Sequence, residues 1–234
     1  MAVRTRQRVE AEMRRTLVVL VVALLAACAS GPPPLEWQAS ARSSLDHGVA
    51  AYLSGDAKAE AEDFERARSS IARTGRADLL ARAELMRCAA QVASLVFAVC
   101  ERFEALRSDA PEAEQAYADF LAGRRLVPAA ISRLPGTQQV VAAAVAGGEA
   151  SVTSVQSIDD PLSRLIGIAV LFQAGKASPA HISLAVDTAS AQGWRRPLLA
   201  WLKVQTQLAE RAGNAAEVQR LQRRIELVSG SGGR

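Results

Sequence analysis

Signals that stop and start helices recur along this chain at short intervals. Six glycines each follow a run of helix-favouring residues, at the place where glycine ends a helix by turning left-handed. These are Gly55, Gly75, Gly123, Gly175, Gly193 and Gly213. Residues that cap a helix or open its first turn recur between them, at Asp56, Asp109, Pro111, Asp160, Pro161, Ser178, Pro179, Pro197 and Asn214. The spacing predicts a succession of about ten helices.

The composition also favours helices over strands. Alanine makes up about a fifth of the 234 residues, and aromatic residues only 4%. No alternating run of β-branched residues is long enough for a useful strand. Because short turns join the helices, neighbours pack as antiparallel pairs. The sequence therefore predicts an all-α fold of antiparallel helical hairpins stacked as an α-solenoid over residues 36–228, with a flexible tail at residues 229–234.

The first predicted hairpin carries part of a repeat pattern. Gly48, Phe64 and Ala67 stand at the spacing of the tetratricopeptide repeat, with the turn at Gly55. Glu60 departs from that pattern, because the family has a small residue there. No regular 34-residue period continues along the chain. The stretch resembles a tetratricopeptide repeat, which implies a TPR-like solenoid with a concave face that holds a peptide or a partner protein.

The N-terminal region has the pattern of an export signal. Two arginines precede an apolar run that is shorter than the about 20 residues needed to span a membrane. The run ends in Leu25-Ala26-Ala27-Cys28, which resembles the lipobox of bacterial lipoproteins. The resemblance implies that residues 13–27 are cleaved as a signal peptide, and that a lipid on Cys28 anchors the protein. Ala29 then implies the periplasmic face of the outer membrane. An ordinary cleaved signal or an uncleaved helix is the alternative.

The residues on either side of this signal are also informative. Residues 1–12 carry both signs of charge, which is unusual for a leader. We therefore expect translation to start at Met13, with residues 1–12 as a non-native extension; a long n-region is the alternative. Residues 28–35 include three consecutive prolines, and proline runs stay extended. These residues are predicted to form a tether between the lipid and the folded domain.

The charge of the mature chain excludes some partners. The full chain has 28 basic and 24 acidic residues, but residues 1–27 hold five arginines and two glutamates. The remainder therefore has 23 basic and 22 acidic residues, a net charge of +1. A near-neutral protein gives no electrostatic reason to expect binding to nucleic acid or to a membrane through a polybasic patch.

Two cysteines remain once Cys28 is assigned to the lipid. Cys88 falls within a helix that is predicted from Ala77 to Val96, and Cys100 lies 12 residues later, just beyond its end. Because an exported protein meets an oxidising environment, we predict that they form a disulfide. Two buried free thiols are the alternative. A metal site is not expected, because His47 and His181 are far from both cysteines in the sequence.

No motif for catalysis or cofactor binding stands out. The two histidines and the absence of Gly-x-Ser-x-Gly give no support to a hydrolase triad, and no glycine-rich phosphate loop is present. We therefore predict no catalytic residue, no metal and no cofactor. The alternative is a peptidoglycan-acting lyase or hydrolase with a carboxylate-based site. The glutamate-serine motif of exported helical lyases is absent, which counts against this alternative.

One cluster is a candidate binding site. Trp194, Arg195, Arg196 and Trp201 lie close together, and the chain has only three tryptophans. The arginines crowd the start of a helix, where the helix dipole disfavours cations. Tryptophan with arginine is also the typical composition of a binding hot spot. Structural roles are the alternative, with the arginines paired to acids such as Asp159 or to a helix C-terminus and the tryptophans in the core.

These features together predict a non-enzymatic lipoprotein of the cell envelope. Its membrane contact is the lipid on Cys28, and its partner is another envelope protein held by the helical surface. The expected role is that of an adaptor or an assembly factor.

Overall fold

The computed structural model describes residues 35–230, so Cys28, the predicted signal peptide and most of the tether lie outside the described residues. Contacts divide the chain into two units, Met1–Glu36 and Trp37–Arg234. Within residues 35–230 the protein is all-α, with twelve helices and no strand. The first six are α1 Glu36–Ser54, α2 Ala57–Ala72, α3 Ala77–Ala93, α4 Glu101–Glu104, α5 Glu112–Leu121 and α6 Pro128–Ile131. The others are α7 Gly136–Ala146, α8 Val152–Gln156, α9 Pro161–Gln173, α10 Pro179–Ala191, α11 Arg195–Arg211 and α12 Ala215–Gly230.

The predicted start and stop signals set most helix boundaries. The Asp56 carboxylate accepts a hydrogen bond from the Ala59 N–H at 3.0 Å, and the Asp160 carboxylate accepts one from the Ser163 N–H at 2.7 Å. All six predicted stop glycines have φ between 66° and 89°. A left-handed residue at this position turns the chain out of the helix and lets its N–H bond to the last turn.

Several boundaries differ from the prediction, among them the end of α12, which continues to Gly230 and so into the predicted tail. Helix α3 ends at Ala93, and the apolar residues that follow it are irregular although their composition predicted helix as far as Val96. Asp109 lies in a short 3-10 turn and caps no helix, because α5 begins after Pro111 without a side-chain cap. Helix α11 begins at Arg195, two residues earlier than predicted, so both arginines belong to its first turn.

The main core is built around α9. All residues of α9 from Leu165 to Leu171 are buried, in contacts with α3, α7 and α10. Helices α9, α10, α11 and α12 pack consecutively, each against the next. The short helices from α4 to α8 lie in the chain between α3 and α9, although α3 and α9 pack directly on each other.

A second apolar cluster lies between α1, α2 and α3. Its largest side chains are Tyr52 on α1 and Phe64 on α2. Gly48 allows the two helices to approach, because a Cβ there would come within 3.1 Å of the Phe64 ring. The helical spacing of apolar residues predicts a buried stripe on α2 of Ala57, Ala61, Phe64, Ala67 and Ile71. Ala57 and Ala61 are exposed instead, and Glu60 is buried.

Helix α11 connects the beginning and the end of the described chain. The Trp201 indole N–H donates to the Ala93 carbonyl at the end of α3 at 3.1 Å. The Trp201 ring also meets the Phe172 ring edge-on, with centroids 5.6 Å apart. In a repeat array each unit contacts only its neighbours. Helices α9 to α12 stack consecutively, as in a repeat array. The contact of α11 with α3 differs from such an array, because it joins helices that are distant in the sequence.

The two predicted disulfide partners are brought together. Cys88 on α3 and Cys100 immediately before α4 have Cα atoms 6.1 Å apart, with their sulfurs at bonding distance. The disulfide closes the irregular segment that follows α3. None of the helices within residues 35–230 has the length and the apolar character needed to cross a membrane.

Candidate functional site

The tryptophan–arginine cluster predicted from the sequence does not form one surface. Trp201 is fully buried in the main core. A partner cannot reach it, so Trp201 is removed from the predicted binding surface and assigned to the core. Its position follows from the period of α11, because Leu198 and Leu202 are buried on the same side of the helix.

Arg196 is used inside the protein. Its Nη1 lies 3.0 Å from an oxygen of Glu60 on α2, and its guanidinium stacks over the Tyr52 ring with the Cζ 4.0 Å from the ring centroid. Tyr52 is only 4% exposed, and this burial raises the pKa of its phenol. The interaction therefore holds the start of α11 against the hairpin of α1 and α2.

Glu60 is the residue that the sequence reasoning missed. Its second oxygen accepts a hydrogen bond from Arg87 on α3 at 3.3 Å, so one buried carboxylate joins three helices. Arg87 also lies over the Phe64 ring, with the Cζ 5.5 Å from its centroid. The sequence held a signal for this role, because Glu60 replaces the small residue of the tetratricopeptide pattern. Arg196 pairs with this acid on α2, and Asp159 is not its partner.

Trp194 and Arg195 remain partly exposed. Trp194 packs against both apolar clusters and so bridges them. The Arg195 guanidinium lies at the C-terminus of α1, where its Nε would be 3.4 Å from a Cβ placed on Gly55. The negative end of a helix attracts a cation. The four predicted residues therefore make contacts within the protein. Trp201 is buried, and Trp194, Arg195 and Arg196 are partly exposed.

A more extensive concave surface lies along the exposed side of α3. Its first part is a cavity of about 410 Å³ between α3, α5 and the segment before α7. Apolar side chains form most of its wall. The lining residues are Arg82, Leu85, Met86, Ala113, Glu114, Tyr117, Arg133, Leu134 and Pro135.

The second part is a cavity of about 550 Å³ between α1 and α3. Its lining residues are Trp37, Gln38, Ala41, Arg42, Leu45, Asp46, Ile71, Leu79, Arg82, Ala83 and Met86. Arg82 and Met86 border both cavities, so the two cavities are neighbours on either side of these residues. We call the two cavities together the α3 groove. It was not predicted, because its walls come from helices that are distant in the sequence.

The charges in the α3 groove are already paired. The Arg82 Nε donates to Glu114 at 2.7 Å, and Arg133 forms an ion pair with Glu112 at 2.5 Å. Burial raises the pKa of Tyr117 and keeps its phenol neutral. The groove is therefore an apolar surface with a charge-balanced border. Methionine adapts to ligands of different shape, and Met86 lies at the centre of the groove.

His181 caps a helix. The His181 Nδ1 accepts a hydrogen bond from the Ser178 N–H at 3.1 Å, and the two residues form a capping box at the start of α10. Burial lowers the pKa of His181. In the part of the chain that the structure describes, no three His, Cys, Asp or Glu side chains are grouped to hold a metal ion.

Comparison of the chain with protein families, with curated proteins and with solved structures finds no match.

Proposed function

We propose that this protein is a membrane-anchored lipoprotein of the cell envelope that acts as a non-enzymatic adaptor or assembly factor. Its lipid is attached to Cys28, and the proposed location is the periplasmic face of the outer membrane. The lipobox resemblance supports the anchor, and the α3 groove supports the binding role. The groove is the observation that carries the proposal.

The chemistry of the groove suits an apolar protein segment. The arginines that line it have acidic partners within the protein, at 2.7 Å for Arg82, 2.5 Å for Arg133 and 4.0 Å for Arg42. Leu79, Met86 and Leu134 instead provide apolar contacts. The occupant we propose is an amphipathic helix of a partner, whose apolar face fills the two cavities. Its polar face then meets the charge-balanced border.

The TPR-like solenoid belongs to this proposal. The close approach of Gly48 to Phe64 fits the resemblance of the first hairpin, and the consecutive packing of α9 to α12 fits a stack. Stacked hairpins place such grooves on one face, and repeat proteins use these surfaces to hold partners.

The carboxylates in the cavities favour the adaptor over the carboxylate-based enzyme. A glycosidase-type reaction needs two carboxyl groups that face each other across the substrate. Each of four cavities in the described region is lined by a single carboxylate: Glu114, Glu149, Asp46 and Glu104. Glu114 and Glu104 are also bound by arginines.

Recovery of the tagged protein from crosslinked envelopes tests the proposal. We expect a defined partner with the unaltered chain, and loss of that partner with Met86→Asp, because a carboxylate in the groove disfavours an apolar occupant. Leu227→Asp is the matched control, since Leu227 is 74% exposed on α12. Cys28→Ser tests the anchor, and mass spectrometry of the N-terminal peptide must show the lipid. Equal recovery with Met86→Asp and Leu227→Asp contradicts the groove, whereas an unmodified Cys28 contradicts the anchor.

A further inference from the structure

The segment between α3 and α4 is apolar and irregular. Residues 92–100 carry no charged side chain, and residues 96–99 form neither a helix nor a turn. We call residues 96–99, Val-Phe-Ala-Val, the valine loop. Leu95, which precedes it, has a φ of 62°. A leucine rarely adopts this left-handed conformation, so the packing around the segment must hold it there.

Most side chains of the valine loop are exposed. Leu95 and Phe97 are partly buried against the main core, whereas Val96 and Ala98 are exposed. Val99 is 73% exposed at the end of the loop. The valine loop therefore has an apolar outer face although it belongs to no sheet.

The backbone of the valine loop is also free to pair. Within residues 35–230, the N–H groups of residues 97–100 donate to no acceptor, and the carbonyls of residues 96–98 accept from no donor. A row of open donors and acceptors is what the edge strand of a sheet presents to another chain. The exposed valines favour the same pairing, because β-branched residues suit a strand.

Both ends of the valine loop are fixed, and a cavity lies beside it. The disulfide from Cys100 to Cys88 ties its end to α3. A cavity of about 280 Å³ separates the loop from the end of α5, with Ala118 and Leu121 on its far side. Binding of a strand here costs little conformational entropy of the loop, because the loop is already held in place. The cavity has room for one apolar side chain of that strand.

We propose that the valine loop is a second binding surface, which pairs by backbone hydrogen bonds with an extended strand of a partner protein. One apolar side chain of the strand enters the cavity beside α5. This is strand addition, a recognition mode in which main-chain bonds give affinity and a pocket gives selectivity. The surface is separate from the α3 groove, and the proposal does not depend on what the groove binds.

The occupant we propose is an extended strand of a partner protein. Within residues 35–230 this chain forms no strand, so a second copy could offer only its own valine loop of four residues. A second copy remains an outcome that the test identifies.

The test uses the full-length chain in detergent micelles and a capped peptide of alternating threonine and valine, Ac-TVTVTV-NH2. The control peptide has the same side chains, with every backbone nitrogen methylated so that neither edge can donate. We expect saturable binding of the first peptide at millimolar concentration and slower hydrogen exchange at residues 97–100. We expect neither with the methylated peptide. Equal binding of both peptides, or binding of neither, overturns the proposal. So does protection of these amides that rises with protein concentration alone, which identifies a second copy.

Two proline variants test the same pairing from the protein side. Ala98→Pro removes an N–H that has no partner within the protein, so the fold should be retained and peptide binding should weaken about tenfold. Val127→Pro is the matched control, because Val127 is 65% exposed with a φ of −75° that suits proline. Met86→Asp should leave peptide binding unchanged. An Ala98→Pro variant that keeps its circular dichroism and binds as tightly as Val127→Pro contradicts the proposal.

Discussion

Glu60 shows how one substitution within a helical pattern changes the packing around it. A small residue at this position would let α2 approach its neighbours directly. The glutamate is only 7% exposed and instead receives Arg87 from α3 and Arg196 from α11. A buried carboxylate is tolerated only when it is paired. Both arginines lie over aromatic rings, so the acid, the cations and the rings form one network.

Removal of this carboxylate should destabilise the fold. Glu60→Gln leaves two arginines, each 29% exposed, without their shared counter-charge. Loss of one partner from a buried ion pair costs about 3–5 kcal/mol, and the partial exposure reduces this to about 2–3 kcal/mol. Urea denaturation measures the change in the free energy of unfolding. Glu62→Gln is the control on the same helix, since its ion pair with Lys58 is exposed and should contribute less than about 0.5 kcal/mol. Equal effects of the two substitutions would contradict the role of Glu60.

His181 should make the stability depend on pH. Burial lowers its pKa in the folded protein, so the unfolded chain binds a proton more readily. Stability is then fully present above about pH 6.5, the pKa of the unfolded histidine, and is lost as the pH falls below it. Protonation also removes the acceptor for the Ser178 N–H.

The comparison with His181→Gln isolates this contribution. Glutamine at the third helical position keeps the capping box but does not titrate. Thermal unfolding at pH 7.5 and at pH 5 should show a larger decrease in Tm for the unaltered protein than for the variant. Parallel decreases would show that other groups cause the pH dependence.

At the scale of the elements, local signals predicted most of the fold. Caps and glycines determine boundaries through bonds within one or two turns, so the boundaries of α1, α2, α9 and α10 follow from the sequence within a residue or two. The end of α3 does not. Its composition favours helix up to Val96, but the disulfide and the packing of Phe97 stop it at Ala93, and these contacts are tertiary.

The disulfide should account for a measurable part of the stability. The bond from Cys88 to Cys100 closes a loop with a sequence separation of 12 residues. The loss of chain entropy in the unfolded state then stabilises the fold by about 3 kcal/mol. Dithiothreitol should lower the free energy of unfolding by that amount. The double variant Cys88→Ala, Cys100→Ala is the control and should not respond to the reductant. No response of the unaltered chain would show that the bond is not formed in solution.

At the scale of the whole molecule, the proposed binding surface on α3 depends on contacts that no local pattern contains. The α3 groove takes its walls from α1, α5 and the segment before α7, and the sequence does not indicate that these meet. The tryptophan–arginine cluster was conspicuous in the sequence because it violates the preference of a helix N-terminus. Its structural role explains the violation, since Arg196 is held by Glu60 and Tyr52.

The central claim is that the α3 groove holds a partner protein in the cell envelope. Site-specific photocrosslinking tests it most directly, with benzoylphenylalanine at position 86 in the groove and at position 227 on the exposed side of α12. We predict one discrete protein adduct from position 86, which is lost with Cys28→Ser, and no matching adduct from position 227. The absence of an adduct at position 86, or the same adducts from both positions, would contradict the account.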